Sequence, residues 1–369
     1  MNNDEKRVTT TPSTETIFLV DSHAHLQLDP LYEQMEVALI NALAVNVHAI
    51  VVNAVCPGVD WDRVETLCCS KLLLTPLTQS PLLIPSFGLH PWWIDEMLTE
   101  EHTHEAVSTL CDRVKQQLRH KLMSIPNAGV GECGLDKIIK KRAHLDTQEA
   151  LLRCHLELAV EFQRPVSLHC VGCWGRLFDM LQVLEIAYQP RSRQEGAGDD
   201  TMIACLQSVS ESKSASTCSG MLTFCVVLHS CNKMPIDMLK RFQQLTKISI
   251  YYSFNGRQLD DQVGKLLAVI PKDKLLLETD SPDQMPPREY AAAIDETFTE
   301  NTATPSLSSD KASTLQSNTA SQHGISCNEP ANVAITCHRV SALLGECNIE
   351  ISKVTAHNAM CVFAGTVPR

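Results

Sequence analysis

The fold is decided by the stretch Ile17-Phe18-Leu19-Val20-Asp21-Ser22-His23-Ala24-His25, in which a short apolar run ends in polar residues. We count eight runs of this kind, and a stretch with helical spacing follows each of them. They cover residues 17–21, 48–55, 82–88, 128–132, 165–169, 223–229, 247–254 and 274–280. Runs of this length are typical of buried parallel strands, and they are too short to span a membrane as helices.

Between these runs, apolar residues recur every three or four positions, which predicts helices. The predicted helices cover 30–45, 60–74, 105–122, 146–162, 174–186, 236–245 and 260–269, with closing helices at 330–344 and 351–363. Strand and helix alternate eight times, which predicts the α/β class and a (β/α)8 TIM barrel. We expect a flexible segment at 1–15 and one barrel domain over 16–369. Two polar, low-complexity stretches at about 189–220 and 297–328 are predicted to be surface insertions.

The composition is that of a globular, acidic protein. The chain has 369 residues, 44% of them hydrophobic, and a formal net charge of −12. This charge argues against broad coating of nucleic acid, although metal ions can supply positive charge locally. The lack of a long apolar segment or of a secretion signal predicts a cytoplasmic protein, with the nucleus as the alternative, and no membrane partner. The 16 irregularly spaced cysteines are interpreted as free thiols in a reducing compartment.

Metal-ligand residue types follow five of the predicted strands. The first strand ends in two histidines, and single ligands follow the fourth, fifth, sixth and eighth strands. These residues are His23, His25, Glu132, His169, His229 and Asp280. The carboxyl ends of all barrel strands lie on one face. Neutral imidazoles and carboxylates together bind divalent ions such as Zn²⁺ or Mn²⁺, so we predict a metal site on this face.

The spacing also suggests roles within this set. Residues i and i+2 of a strand face the same side, so the two histidines of the first strand can grip one ion. Glu132 can bridge two ions, and the histidines of the fifth and sixth strands can complete the second. Asp280 can bind the first ion and accept a proton from the attacking water. We therefore predict Glu132 and Asp280 as the catalytic residues.

The motifs resemble those of the TatD-related deoxyribonucleases, a family of metal-dependent, amidohydrolase-like barrels. The resemblance rests on Asp21-Ser-His-Ala-His25, Phe87-Gly-Leu-His-Pro91, Gly131-Glu-Cys-Gly-Leu-Asp136, Pro165-Val-Ser-Leu-His169, Leu228-His229-Ser230 and Glu278-Thr-Asp-Ser-Pro282. It implies a nuclease that hydrolyses phosphodiester bonds, commonly as a 3′-5′ exonuclease, with two divalent ions (Mg²⁺, Mn²⁺ or Zn²⁺) held by the same six ligands. It also implies that His90 supports a ligand or contacts a substrate phosphate.

Some positions depart from the family pattern. Many members have an arginine where this chain has Val171, so a phosphate contact is either missing or supplied by Arg176. Four basic residues follow the Gly-Leu-Asp motif and are the best candidates for contacts with the nucleic-acid backbone: Lys137, Lys140, Lys141 and Arg142. Either Trp92 or Trp93 can stack on a terminal base, or both can cover the barrel rim. The expected partners are the ends of DNA, or of RNA.

Two other functions remain open from the sequence, and the oligomeric state is not predicted. The same metal scaffold could serve a small-molecule amidohydrolase or phosphoesterase, since a fold does not fix its substrate. A non-catalytic scaffolding protein is the other alternative, although the intact ligand set argues against it. The position of the basic residues 137–142 relative to the metal site discriminates between a nuclease and a small-molecule hydrolase.

Overall fold

The computed structural model describes residues 17–69, 80–98, 103–187, 224–291 and 327–364. Eight parallel strands pair in chain order and form a nearly closed barrel, which confirms the TIM-barrel prediction. They are β1 Leu19–Ala24, β2 Val47–Asn53, β3 Leu82–Phe87, β4 Gly129–Asp136, β5 Val166–Val171, β6 Phe224–Leu228, β7 Ile248–Phe254 and β8 Leu275–Leu277. The predicted N-terminal segment 1–15, the insertion at 189–220 and most of the insertion at 297–328 lie outside the described residues.

Helices surround the strands. They are α1 Met35–Ala44, α2 Trp61–Cys69, α3 Ile94–Met97, α4 His104–Ser124, α5 Leu145–Phe162, α6 Trp174–Ala187, α7 Ile236–Phe242, α8 Asp261–Leu267, α9 Arg288–Ala291, α10 Val333–Leu344 and α11 Asn348–Phe363. Apolar residues four positions apart give α4 its buried stripe of Leu110, Val114, Leu118 and Leu122. Over the described ranges, none of these helices is long and apolar enough to cross a membrane.

The segment after β8 lies against the end of β1. The amide of Asp280 donates to the carbonyl of His23 at 2.9 Å, and the amide of His25 donates to the carbonyl of Ser281 at 2.7 Å. These bonds bring the last strand back to the first at the carboxyl end of the barrel. The closure therefore places Asp280 beside the two histidines of β1.

The opposite, amino end of the barrel is packed against α11. Ala356, Ala359, Val362 and Phe363 of this helix belong to one apolar cluster with residues near the starts of several strands, such as Val20 of β1. A larger core fills the space between the strands and the outer helices. The amino end is thus closed largely by apolar packing, whereas the predicted ligands His23, His25, Glu132, His169, His229 and Asp280 lie toward the carboxyl ends of the strands.

Candidate metal centre

Glu132, at 3% exposure, lies at the centre of a group of imidazoles. Its Oε2 is 3.3 Å from Nε2 of both His23 and His25. Its Oε1 is 2.7 Å from Nε2 of His229 and 3.1 Å from Nδ1 of His169. The two carboxylate oxygens therefore face two different pairs of histidines, one from β1 and one from the ends of β5 and β6.

Asp280 joins the pair from β1. Its Oδ1 is 3.4 Å from Nε2 of His25 and 3.9 Å from Nε2 of His23. The hydroxyl of Ser230 donates to the other oxygen at 3.3 Å. The backbone of Asp280 adopts a left-handed conformation with φ of 55°, which turns the side chain toward these histidines. Three ligand-type groups thus converge on one point.

In His25 and His90, the hydrogen bond at Nδ1 decides whether Nε2, which faces Glu132, carries a proton or a lone pair. Nδ1 of His25 lies 2.7 Å from the carbonyl of Asn53, so this nitrogen must donate and Nε2 keeps a free lone pair. Nδ1 of His90 accepts from the amide of Trp92 at 3.2 Å, so the proton of neutral His90 is on Nε2. That Nε2 lies 3.3 Å from Oε1 of Glu132. His25 is therefore suited to bind a metal, and His90 is suited to donate a hydrogen bond.

Asp136, at the end of β4, orients His169. Its Oδ2 is 3.3 Å from Nε2 of His169 and accepts from the indole N–H of Trp92 at 2.6 Å. The amide of Ile138 donates to Oδ1 at 2.7 Å. Sequence reasoning did not assign a role to Asp136, although it ends the quoted Gly-Glu-Cys-Gly-Leu-Asp motif. Its position after a ligand-bearing strand was the signal that could have identified it.

Two further supporting residues were also missed. The hydroxyl of Ser167 lies 3.0 Å from Nδ1 of His23 and fixes that ring. Glu278 accepts from the amide of Ser230 at 2.6 Å. The other oxygen of Glu278 and Nδ1 of His229 are buried without a hydrogen-bond partner among the described residues. Glu278 lies two residues before Asp280, and this same-side spacing in an extended chain could have indicated it.

Glycines allow the backbone to approach closely around Glu132. Gly134 has φ of +152°, and a Cβ there would lie 2.0 Å from the carbonyl oxygen of His169. A Cβ on Gly88 would lie 2.4 Å from the carbonyl oxygen of Glu132. Both contacts are far shorter than real Cβ contacts, so neighbouring strands reach these positions only because glycine lacks a side chain.

The charges in the cluster are mutually dependent. Burial disfavours an ionised Glu132, yet the imidazoles of His90, His229 and His23 hold its pKa well below the usual range. Burial opposes ionisation of Asp280 too, and the neighbouring imidazoles of His25, His229 and His23 lower its pKa. Burial lowers the pKa of His90 to about 4, so this ring is neutral at physiological pH.

The donor set fits divalent metal ions. Among the residues that the structure describes, nitrogens and carboxylate oxygens within 4.8 Å of one another occur in three groups of three. They are His23, His25 and Asp280; His23, His229 and Glu278; and His90, Glu132 and His169. Mixed imidazole and carboxylate donors are those that Zn²⁺ and Mn²⁺ prefer. In the third group, the proton on Nε2 of His90 argues against direct coordination by that residue.

The basic residues predicted to contact phosphates lie on the loop between β4 and α5. Lys137 comes directly after Asp136, and its amide donates to the carbonyl of Val171 at 2.9 Å. The exposed side chains on this loop include those of Lys137, Lys140, Lys141 and Arg142. Nε of Arg142 is 3.5 Å from Asp95. The loop therefore begins one residue after Asp136, whose carboxylate contacts His169.

Arg176 forms ion pairs with two carboxylates of the neighbouring helix. Its guanidinium lies 3.1 Å from Asp146 and 2.7 Å from Glu149, both on α5. Of the two tryptophans, Trp93 packs against an apolar cluster beside the site, whereas Trp92 is 52% exposed. The structure thus brings His90 into the cluster, starts the basic loop directly after Asp136, and pairs Arg176 with carboxylates of α5.

A parallel eight-stranded barrel with imidazoles and carboxylates gathered at the carboxyl ends of its strands defines the class of metal-dependent, amidohydrolase-like hydrolases. The sequence profile described as TatD related DNase matches residues 20–364. The chain therefore belongs to the family of TatD related DNases.

Individual relatives are more distant. The chain is 29% identical over 189 residues to the 3′-5′ ssDNA/RNA exonuclease TatD of Pantoea sp. (strain At-9b), covering 50% of this chain and 57% of that protein. It is 27% identical over 145 residues to Cut9-interacting protein scn1 of Schizosaccharomyces pombe, covering 27% of this chain and 43% of that protein. The chain thus spans about half the length of these two relatives. The crystal structure of a TatD homologue from Escherichia coli K12 superposes with a TM-score of 0.62 at 20% identity, covering 94% of this chain and 98% of that one, so it shows the same fold.

Proposed function

We propose that this protein is a divalent-metal-dependent deoxyribonuclease that removes nucleotides from the 3′ ends of DNA, and of RNA as a second substrate. The observation that carries the proposal is the position of Glu132, whose two oxygens face separate histidine pairs. This is the arrangement that a carboxylate bridging two ions requires. The direction of cleavage is suggested by the Pantoea relative, which is named as a 3′-5′ exonuclease.

In this proposal six residues hold two ions. Asp280 and the two β1 histidines would hold one ion, the histidines of β5 and β6 would hold the other, and Glu132 would contribute to both. The set is His23, His25, Glu132, His169, His229 and Asp280. Bound divalent ions at such a site lower the pKa of a coordinated water and neutralise the charge of a phosphodiester.

The protein groups supply the proton transfers and the orientation. Oδ1 of Asp280 accepts the proton of the attacking water, because the imidazoles of His25 and His23 that face this carboxylate keep it ionised. The Nε2–H of neutral His90 donates to a phosphate oxygen, since its other nitrogen is engaged by the amide of Trp92. Asp136 holds the ring of His169 in place.

The edge of the site favours a nucleic acid over a small molecule. The exposed basic loop, residues 137–142, begins beside Asp136 and can contact backbone phosphates. The half-exposed indole of Trp92 is fixed by its bond to Asp136 and offers a face on which a terminal base can stack. The small-molecule hydrolase explains neither feature. We place the nuclease in the cytoplasm or the nucleus, where its cysteines remain reduced.

End-labelled oligonucleotides test this proposal. Metal-loaded protein is incubated with single- and double-stranded DNA and RNA, labelled at either end, with and without EDTA. A 5′-labelled strand should give a ladder that shortens from the 3′ end, and a 3′ label should be released as a mononucleotide. EDTA should abolish both. Cleavage that resists EDTA, or cleavage only within the strand, contradicts the proposal.

A pair of variants assigns the activity to the site. Asp280→Asn keeps the size of the side chain and removes the proton acceptor, so the rate should fall by about 10²–10⁴-fold. Asp112→Asn makes the same change on the exposed surface of α4 and should retain the wild-type rate. Equal rates for the two variants would show that the hydrolysis does not take place at this site.

A further inference from the structure

Helices α4 and α5 lie side by side in a register that two ion pairs define. Nζ of Lys115 on α4 is 2.7 Å from Oε2 of Glu157 on α5. One turn further along both helices, the guanidinium of Arg119 contacts both carboxylate oxygens of Glu161, with Nη2 2.6 Å from Oε2. Residue numbers rise together on the two helices, so the helices run parallel and present matching rows of side chains.

One turn before Lys115 and Glu157, the facing sides of α4 and α5 each carry a cysteine. Cys111 is four residues before Lys115, and Cys154 is three residues before Glu157. Each of the two thiols shifts the pKa of the other, and Sγ of Cys154 donates to the carbonyl of Ala150 at 3.2 Å. Cys154 is buried at 5% exposure, whereas Cys111 is only partly buried and can be reached from solvent.

The two thiols differ in their access to solvent, because Cys154 is buried and Cys111 is only partly buried. The neighbouring thiol lowers the pKa of Cys111, against the effect of burial, and the neighbouring thiol and burial together raise the pKa of Cys154. The accessible thiol is thus the more easily ionised of the two, and the thiolate is the form that reacts with oxidants. The metal cluster contains neither residue.

We propose that Cys111 and Cys154 are a redox-active dithiol that closes into a disulfide linking α4 to α5 when the protein meets a peroxide. The Cys111 thiolate attacks one oxygen of the peroxide and becomes a sulfenic acid, and the other oxygen leaves as water after protonation. The sulfur of Cys154 then forms the S–S bond and displaces the hydroxyl, which leaves as a second water. The two sulfurs together lose two electrons, and hydrogen peroxide gains them.

The link would reinforce the wall of the candidate metal centre. Gln148 of α5 bonds to the backbone N–H and C=O of Asp136, and His155 accepts from the amide of Leu89. These bonds hold the end of β4, which carries Asp136, and the loop that carries His90. A cross-link between positions 111 and 154 restrains the unfolded chain and should raise the melting temperature by several degrees.

The test uses the full-length, metal-loaded protein treated with a small excess of hydrogen peroxide. Remaining thiols are blocked with N-ethylmaleimide, and the protein is digested and mapped by mass spectrometry without reduction. We expect a peptide pair linked through Cys111 and Cys154, a raised melting temperature and reversal of both by dithiothreitol. Linkage of Cys111 to another cysteine, or its recovery as an unlinked alkylated peptide, would overturn the proposal.

Variants separate this pair from the other thiols. Cys111→Ser and Cys154→Ser should each abolish the linked peptide and the peroxide-induced rise in melting temperature. Cys347→Ser removes an exposed cysteine at the start of α11 and should leave both unchanged. A rise in melting temperature that persists in Cys154→Ser would locate the oxidation elsewhere and exclude the proposed disulfide.

Discussion

His155 lies on α5 and is buried against the loop that carries His90. We predict that this histidine makes the fold sensitive to mild acid. Its Nδ1 donates to the carbonyl of Leu151 at 2.8 Å, and its Nε2 accepts from the amide of Leu89 at 3.0 Å. Protonation would convert this acceptor into a donor that faces another donor. The perturbation is His155→Gln, which removes the titratable group and keeps an acceptor of similar reach for the Leu89 amide.

The size of the effect follows from the pKa of His155. Burial lowers this pKa from 6.5 to about 4. The unfolded chain therefore binds more protons than the folded protein between these values, and stability is lost as the pH falls through this window. Between pH 8 and pH 5 the two pKa values give a loss of about 2 kcal/mol from this one residue.

Urea unfolding of the EDTA-treated protein at pH 8 and pH 5 measures this contribution. The free energy of unfolding of the wild type should fall by about 2 kcal/mol more than that of His155→Gln over this pH interval. The other histidines contribute equally to both proteins and cancel in the comparison. The same pH dependence in both proteins would refute the reasoning, because it would mean that His155 titrates alike in the folded and unfolded states.

Three further predictions concern the site and its edge. His90→Ala should bind as much metal as the wild type by equilibrium dialysis but hydrolyse DNA about 10–100-fold more slowly. His90→Gln should recover part of the rate, because its side chain keeps an N–H donor. Loss of metal from both variants would show that His90 is a ligand. Gly134→Ala should lower the free energy of unfolding in urea by more than about 3 kcal/mol. The control Gly175→Ala, whose Cβ would meet nothing within 4 Å, should not lower it by this amount. Equal effects of the two substitutions would contradict the close approach of the strands at Gly134. Replacement of both Lys140 and Lys141 by glutamine should weaken the binding of single-stranded DNA. The slope of log K against the logarithm of the salt concentration should become shallower by about 1.4, and an unchanged slope would show that neither residue contacts the DNA backbone.

Most of the fold could be predicted because strands and helices leave clear periodic patterns. All eight predicted strands are present, although β8 is shorter than the predicted run 274–280 and ends at Leu277. Asp280 and Ser281 instead use their backbone groups to bond to His23 and His25 of β1. Helix α2 is described up to Cys69, and the rest of the predicted run 60–74 lies outside the described residues.

The site could be predicted in its residue types and less well in its contacts. Strand ends identify the histidines and carboxylates, because a parallel barrel collects these ends on one face. The sequence does not reveal that one Glu132 oxygen faces His25 and the other His229, since this depends on side-chain rotamers. It also does not reveal that Arg176 is engaged by Glu149, because that contact joins neighbouring helices. Tertiary packing decides both.

The acidic composition agrees with a local mode of binding to nucleic acid. The net charge of −12 belongs to the whole chain, while the basic loop 137–142 begins directly after Asp136 of the candidate metal centre. Divalent ions held by Glu132 and its neighbours would add positive charge at the same place. We therefore expect weak, salt-sensitive capture of nucleic-acid ends, with affinity that depends on the bound metal.

The most direct test of the central claim measures bound metal together with activity. Mn²⁺ is equilibrated by dialysis with the wild type, Glu132→Gln and the surface control Asp112→Asn, and the bound ions are counted by elemental analysis. The account predicts two ions in the wild type and the control, at most one in Glu132→Gln, and DNA hydrolysis that is lost with the missing ion. Two ions and wild-type hydrolysis in a folded Glu132→Gln protein would contradict it.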